Sequence, residues 1–308
     1  MRDAFVDELT RAAAADDRIA LLTGDLGYKL FDRFAAACPG RFLNMGVSEA
    51  NMVSVAAGLA LSGMRPVTYS IVPFATARCL EQIRNDVCNM RLPVIVTGVG
   101  GGFAYGPNGP THHGIDDIAL MRAMPGMTVL CPADPWETRH ALRSALASEG
   151  PSYLRLGRNR EPDLASAEDA FAAGSPRTLR RGGAIAILAC GPIAGEALAA
   201  VPALLRAGHD PHVVSVHTVK PIDGAIAWIR ARRPAHVFVV EEHGPQGGLA
   251  EALALPLAGA PDSPILTSIA APDRFLHDAG SQRHMWRLAG IDAAGIAAAV
   301  VRRLERTS

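Results

Sequence analysis

Three groups in this sequence have chemistry to offer: a carboxylate where a strand gives way to a helix, two adjacent histidines in a glycine-rich loop, and a phenylalanine followed four residues later by an arginine. Glu49 opens the helix-like run after RFLNMG. It can be an ordinary helix start, with Ser48 capping free amides and the carboxylate at the positive end of the dipole, worth a few tenths to about 1 kcal/mol. It can equally be a fixed carboxylate facing a ligand. The loop GVGGGFAYGPNGPTHHGIDD has seven glycines from Gly98 to Gly114 and carries Thr111, His112 and His113 near its end. Glycine lets backbone approach a ligand closely, and imidazoles move protons near neutral pH, whereas a merely mobile loop has no use for them. Adjacent loop histidines diverge, and no cysteine or carboxylate stands at ligand spacing, so no metal site is expected on this chain. Phe74, in a chain with 5% aromatics, is either a stacking platform at the end of the third strand or core packing, and Arg78 follows on the same segment. Arg158, after the last strand of the first half, suits an anionic group or plain solvation.

The elements that must position these groups alternate. IALLTG, RFLNM, RPVTYSI, LPVIVTG, MTVLC and SYLRLG read as strands, with helical patterns starting near Asp3, Phe31, Glu49, Thr76 and Trp136. After residue 182 a second series begins with AIAILAC, PHVVSV, AHVFVV and SPILTSI, interleaved with helices near Ala194, Ile226, Leu249 and Ala293. Such alternation predicts an α/β protein of two consecutive domains, 1–160 and 183–308, each a mainly parallel sheet with helices on both faces. The stretch between, 161–182, is rich in Pro, Gly, Ser and charge and reads as a linker. In open parallel sheets ligands bind beyond the carboxyl ends of the strands, where TGDLG, GVSE and the glycine-rich loop all fall.

A chain of 308 residues exceeds one ordinary core, which also favours two domains. Its formal net charge is zero and its basic residues, almost all arginine, are scattered, so nucleic acid is not an expected partner. Five cysteines without CxxC or CxH spacing exclude a structural zinc frame and fit a reducing compartment. No uninterrupted apolar run reaches 18 residues, and the N-terminal MRDAFVDELTRA is too charged for a signal peptide, so a cytoplasmic protein that does not span membranes is expected.

In order and spacing, TGDLG, NMGVSEANM, SIVPFATAR with EQIRNDV, NGPTHHGIDD, CPAD, HTVKPID, VVEEHGPQGGLAEAL and APDRF resemble the C-terminal half of transketolase over nearly the whole chain. The resemblance implies a pyrimidine-binding domain followed by a transketolase C-terminal domain, and a thiamine diphosphate-dependent transferase that moves a two-carbon ketol unit from a ketose, expected to be a phosphate, to an aldehyde or related acceptor. It implies that Glu49 bonds a ring nitrogen of the aminopyrimidine and so promotes the thiazolium ylid, and that His112 transfers protons. Asp25, Leu26, Phe74 and Arg78 would also touch the cofactor; Arg2, Asn108, His112, His113 and Arg158 would touch substrate. Two departures stand out: Gly100 and Asn108 replace a histidine and an acid of the family, which bears on phosphate and donor-hydroxyl recognition.

The resemblance also implies Mg²⁺ on a diphosphate domain with a GDG motif, for which this chain offers only GDLG at Gly24. The expectation is therefore a split enzyme: a separate N-terminal subunit supplies the metal ligands, the two kinds of chain form an α2β2 heterotetramer, and the C-terminal domain helps this chain self-associate as a dimer. The alternatives are the beta subunit of a 2-oxoacid dehydrogenase, a deoxyxylulose phosphate synthase-like enzyme, and a non-catalytic partner module that keeps the fold alone.

Overall fold

The runs IALLT, SYLRL and IAILAC alternate little in polarity and form strands in which every residue is buried, as strands covered on both faces must be. The computed structural model describes residues 1–164, 171–260 and 262–306. The first half contains α1 (Arg2–Ala15), β1 (Ile19–Thr23), α2 (Asp32–Ala37), β2 (Phe42–Asn44), α3 (Glu49–Leu61), β3 (Arg65–Ile71), the short α4 (Val72–Ala75) and α5 (Leu80–Gln82), β4 (Ile95–Val99), α6 (Asp117–Ala123), β5 (Thr128–Leu130), α7 (Pro135–Ala147) and β6 (Ser152–Leu156). The second contains β7 (Arg177–Arg180), β8 (Ile185–Cys190), α8 (Ala194–Arg206), β9 (Pro211–Ser215), β10 (Thr218–Lys220), α9 (Asp223–Arg232), β11 (His236–Glu241), α10 (Leu249–Leu257), β12 (Ile265–Ala270), α11 (Gln282–Ala289) and α12 (Ala293–Glu305).

Among the described residues these strands make two sheets, ordered β10-β5-β6-β4-β3-β1-β2 and β12-β11-β8-β9-β7. Pairing is parallel except for β10 against β5 and β7 against β9. Both faces of the first sheet are covered. Leu21 packs with Phe5, Leu9, Phe34 and Leu142 from α1, α2 and α7, whereas its neighbour Leu22 points the other way, among Met52 and Val53 of α3 and Met121 of α6. The latter core continues into the second half through Leu188 of β8, Val214 of β9 and Leu249 of α10, so the two halves share apolar packing. No helix of the described residues is long and apolar enough to cross a membrane.

Three local features differ from the sequence expectation. The stretch read as a linker contains β7, whose RTLR pairs with Ser215 and Val214; its residues 165–170 lie outside the described residues. The three-residue β10, too short for a sequence signal, leaves the second half and joins the edge of the first sheet, with the Cys131 amide donating to the His217 carbonyl at 2.7 Å. The helix expected near Thr76 is broken into α4, a 3-10 turn, α5 and a π-helical turn at Ile83–Cys88. There the Thr76 hydroxyl bonds back to the Val72 carbonyl at 2.7 Å beside the Thr76 amide at 3.0 Å, and the Thr76 backbone departs from helical dihedrals (φ −118°, ψ −77°), a known setting for helix bending.

A buried carboxylate ties the first helix to α7. Glu8, buried on α1, accepts Arg143 Nε and Nη2 from α7 at 2.7 and 2.8 Å and also pairs with Arg11. Burial raises its carboxyl, but the two guanidinium groups outweigh that and bring it down to about 2. A depressed acid adds stability above its unfolded value and loses it as pH falls through the folded one. Glu8→Gln is therefore expected to cost about 1–2 kcal/mol at pH 7, limited by the exposure of both arginines, in urea unfolding. The difference from wild type should shrink between about pH 4.5 and about pH 2.

Candidate active site

Five neighbouring strands, in the order β2, β1, β3, β4 and β6, send their carboxyl ends to one edge of the first sheet, and the loops that leave them carry most of the groups singled out in the sequence. Glu49, the first residue of α3, is 1% exposed. The Ser70 hydroxyl, near the end of β3, donates to Oε1 at 2.9 Å and Arg78 Nη1 donates to Oε2 at 2.6 Å. Ser48 makes no side-chain cap bond, so helix capping does not account for this corner. Each carboxylate oxygen has about two lone pairs, and with one used on each the group can accept further donors. Gly24 makes room for it: a Cβ there would lie 3.0 Å from Glu49 Cγ.

From Glu49 a continuous row runs across the edge. The Arg78 guanidinium, with a side chain 42% exposed, lies 4.2 Å from the centre of the Phe74 ring. Phe74 meets His112 edge-to-face at 5.2 Å. Tyr105 lies 6.1 Å beyond His112, and Arg158 stacks over Tyr105 at 4.1 Å. Partial burial lowers the pKa of His112, favouring the neutral ring, and Thr111 Oγ1 sits 3.0 Å from its Nδ1. The row thus places a carboxylate, a half-exposed aromatic face, a neutral imidazole and two cations side by side.

The remaining residues lie around this row or apart from it. Asp25 adopts a left-handed backbone (φ 56°) and accepts a bond from Asn44 at 2.8 Å; with Leu26 it lines a hollow of about 390 Å³ beside Lys29 and Phe42. Arg2 lines a separate hollow of about 340 Å³ with Tyr28, Lys29 and Arg33. Asn108 is exposed on the loop. His113 turns inward: it is 4% exposed, packs edge-to-face on Phe103 at 5.2 Å, and neither ring nitrogen makes a hydrogen bond of normal geometry.

The glycines of the loop do something other than the sequence suggested. A side chain at Gly98 would meet Tyr153, at Gly100 the Tyr105 ring, at Gly101 Arg155, at Gly102 Glu242, at Gly106 the Gly280 carbonyl and at Gly114 Val72; of the seven, Gly109 alone faces open space. Their smallness serves protein packing. The groups they press against were missed, although a charged residue inside the apolar run SYLRLG was a visible sign. Arg155 Nε donates to Asp117 Oδ2 at 2.9 Å, and Tyr153 donates to the same oxygen at 2.6 Å.

Known proteins share both the sequence and this architecture. The family described as "Transketolase, pyrimidine binding domain" matches residues 1–162, and "Transketolase, C-terminal domain" matches 174–296. The 6-deoxy-6-sulfo-D-fructose transketolase subunit SqwH of Clostridium sp. (strain MSTE9) is 40% identical over 82% of this chain and 79% of its own. One of the subunits of the apulose-4-phosphate transketolase of Actinobacillus succinogenes is 35% identical, covering 85% of each chain. 1-Deoxy-D-xylulose-5-phosphate synthase 1 of Geobacter sulfurreducens is 35% identical over 96% of this chain, which spans only 46% of that enzyme. A solved structure described as "Split gene transketolase, inactive beta4 tetramer" superposes with a TM-score of 0.86 at 33% identity, over 98% of this chain and 96% of that one.

The packing of Gly24 against the carboxylate is open to test. In Gly24→Ala the new methyl is expected to push Glu49 off Ser70 and cost about 1–3 kcal/mol, the range for over-packing a filled site, in chemical denaturation. An unchanged unfolding midpoint would show that the carboxylate has room to spare.

Proposed function

The chain belongs to the transketolase family, and we propose that it is the pyrimidine-side subunit of a split, thiamine diphosphate-dependent ketol transferase. The partner in this reading is a separate diphosphate-binding subunit that supplies the Mg²⁺ ligands, two copies of each chain forming a heterotetramer with the cofactor where they meet. Support for the split comes from relatives of matching span, which are themselves named as subunits, and from the neighbour described as an inactive β4 assembly. The substrate proposed is a small ketose with an anionic end; both transketolase subunits named above carry a sulfo- or phosphosugar in their names.

One observation carries the reading: a nearly buried carboxylate with unused lone pairs at the head of a row that continues into a half-exposed aromatic and a neutral histidine. That set fits an aminopyrimidine, which needs a fixed acceptor at a ring nitrogen and an apolar surface against its plane. Thiamine diphosphate, when bound, supplies the electron sink that two-carbon transfer requires. Ser70 and Arg78 hold the Glu49 carboxylate in one orientation, so that its free lone pairs meet a ring N–H without rearrangement. Phe74 excludes water beside it. Thr111 Oγ1 lies within hydrogen-bond distance of Nδ1; in the tautomer that accepts the hydroxyl there, His112 carries its proton on Nε2 and donates it toward a substrate oxygen. Arg158, spread on Tyr105, and Arg2 offer the anionic end of the donor a charge partner, while Asp25 and Leu26 border the cofactor side and Asn108 the donor hydroxyls.

Reconstitution tests this directly. The chain alone is expected to show no ketol transfer; mixed with a diphosphate-binding partner subunit, thiamine diphosphate and Mg²⁺, it should cleave a ketose donor. Decarboxylation of pyruvate in its place would move the assignment to the synthase reaction, which the 35% identity to the Geobacter sulfurreducens synthase makes the second reading. Glu49→Gln should lower kcat/KM by about 100-fold or more without changing assembly. Undiminished turnover would leave the chain as a partner module.

A further inference from the structure

The candidate groups all sit on the first half of the chain, yet the loop that carries His112 is held from the second. Where β11 ends, the chain continues as Glu242, His243 and Gly244, and each grips the glycine-rich loop or its exit. Glu242 Oε1 accepts the Phe103 amide at 2.7 Å. The Gly244 amide donates to the Ile115 carbonyl at 2.7 Å, and the Ala119 amide donates to His243 Nε2 at 3.3 Å. Arg155 Nη2 donates both to the Gly114 carbonyl, at 2.7 Å, and to the Glu242 carbonyl, at 2.9 Å. Gly102 is glycine because the Glu242 side chain occupies the place its Cβ would take, and Gly106 lies as closely against the Gly280 carbonyl.

From Glu242 a second line of bonds leads to Arg158. Gln282 Nε2, at the start of α11, donates to both carboxylate oxygens of Glu242 at 3.0 Å. Its Oε1 accepts Asn159 Nδ2 at 2.8 Å, and the same Asn159 nitrogen reaches the Ala104 carbonyl at 3.5 Å. Asn159 is the residue after Arg158. Burial pushes the Glu242 carboxyl up to about 7; in its ionised form the group only accepts, which fixes which way both amides point and gives the chain a single polarity. Glu242 is 1% exposed, so its carboxyl makes both bonds out of contact with bulk water.

We propose that Glu242 and Gln282 are positioning residues for the transfer reaction: together they fix the loop at Phe103 and the backbone beside Asn159, and through these the placement of His112 and Arg158. The second half of the chain thereby sets the geometry of a site to which it contributes no reacting group. This inference rests on the ketol-transfer reading given above, and its test separates the two. In the reconstituted complex, Glu242→Gln keeps an acceptor for Phe103 but turns an amide toward the Gln282 amide, while Glu242→Ala removes every side-chain bond and leaves only the backbone carbonyl bonded to Arg155. Gln282→Met keeps the bulk and cuts the line to Asn159.

We expect kcat/KM for the ketose donor to fall about 10-fold in Glu242→Gln and Gln282→Met and about 100-fold in Glu242→Ala, the scale of a misplacement near 1 Å. Thiamine diphosphate affinity should stay within about twofold, because Glu49, Phe74 and Arg78 are untouched. In the chain alone, amides of residues 100–114 should exchange with solvent about 10-fold faster, those of β3 at the wild-type rate. Kinetics within twofold of wild type in all three variants would overturn the proposal, as would losses matched by an equal loss of cofactor binding and melting temperature. If the wild-type complex performs no ketol transfer, the functional reading fails, and the exchange rates decide the clamp: unchanged protection of the loop would sink it.

Discussion

A guanidinium buried in the middle of a sheet is the constraint around which this molecule is arranged. Arg155 is 2% exposed and uses its donors on Asp117, on the Gly114 carbonyl and on the Glu242 carbonyl, so one side chain of β6 joins the first sheet, the glycine-rich loop and the second half of the chain. Desolvating such a charge is costly, and removing one partner of a buried pair typically costs about 3–5 kcal/mol. The geometry leaves little freedom. Asp117 is held in turn by Tyr153, and burial drives the Tyr153 phenol far above its ordinary pKa, so the hydroxyl stays a donor. Gly101 is small because Arg155 passes beside it.

The row from Glu49 to Arg158 depends on that frame. Its members come from loops far apart in sequence, and they meet because β2, β1, β3, β4 and β6 are neighbours in that order. Burial varies along the row: Glu49 is nearly buried, Arg78 beside it has a side chain 42% exposed, Tyr105 is buried and Arg158 at the far end is half-buried.

Much of this was legible in the sequence because strand ends are. Apolar runs without alternation marked the central strands, and the loops that leave the strands were the ones worth weighing: Glu49, Phe74, His112 and Arg158 all lie on them or at their ends. Two things were not legible. The neighbour order of the strands is a long-range property, and without it nothing said that Phe74 would touch His112 or that His113 would turn inward against Phe103. Glycine density was ambiguous in a second way, since small residues admit either a ligand or another part of the protein, and only packing distinguishes them. Elements shorter than the sequence periods, such as β10, or mixed in charge, such as β7, gave no signal above their surroundings.

The placement of β10 has a consequence for how the chain comes off the ribosome. Residues 1–160 finish every other strand of the first sheet, but β5 keeps a bare edge until Thr218–Lys220 arrives nearly sixty residues later to cover it. Unpaired edges recruit other strands, including those of identical nascent chains. A fragment cut between the halves would carry that sticky border permanently, so the seam visible in the sequence is a poor place to divide the polypeptide.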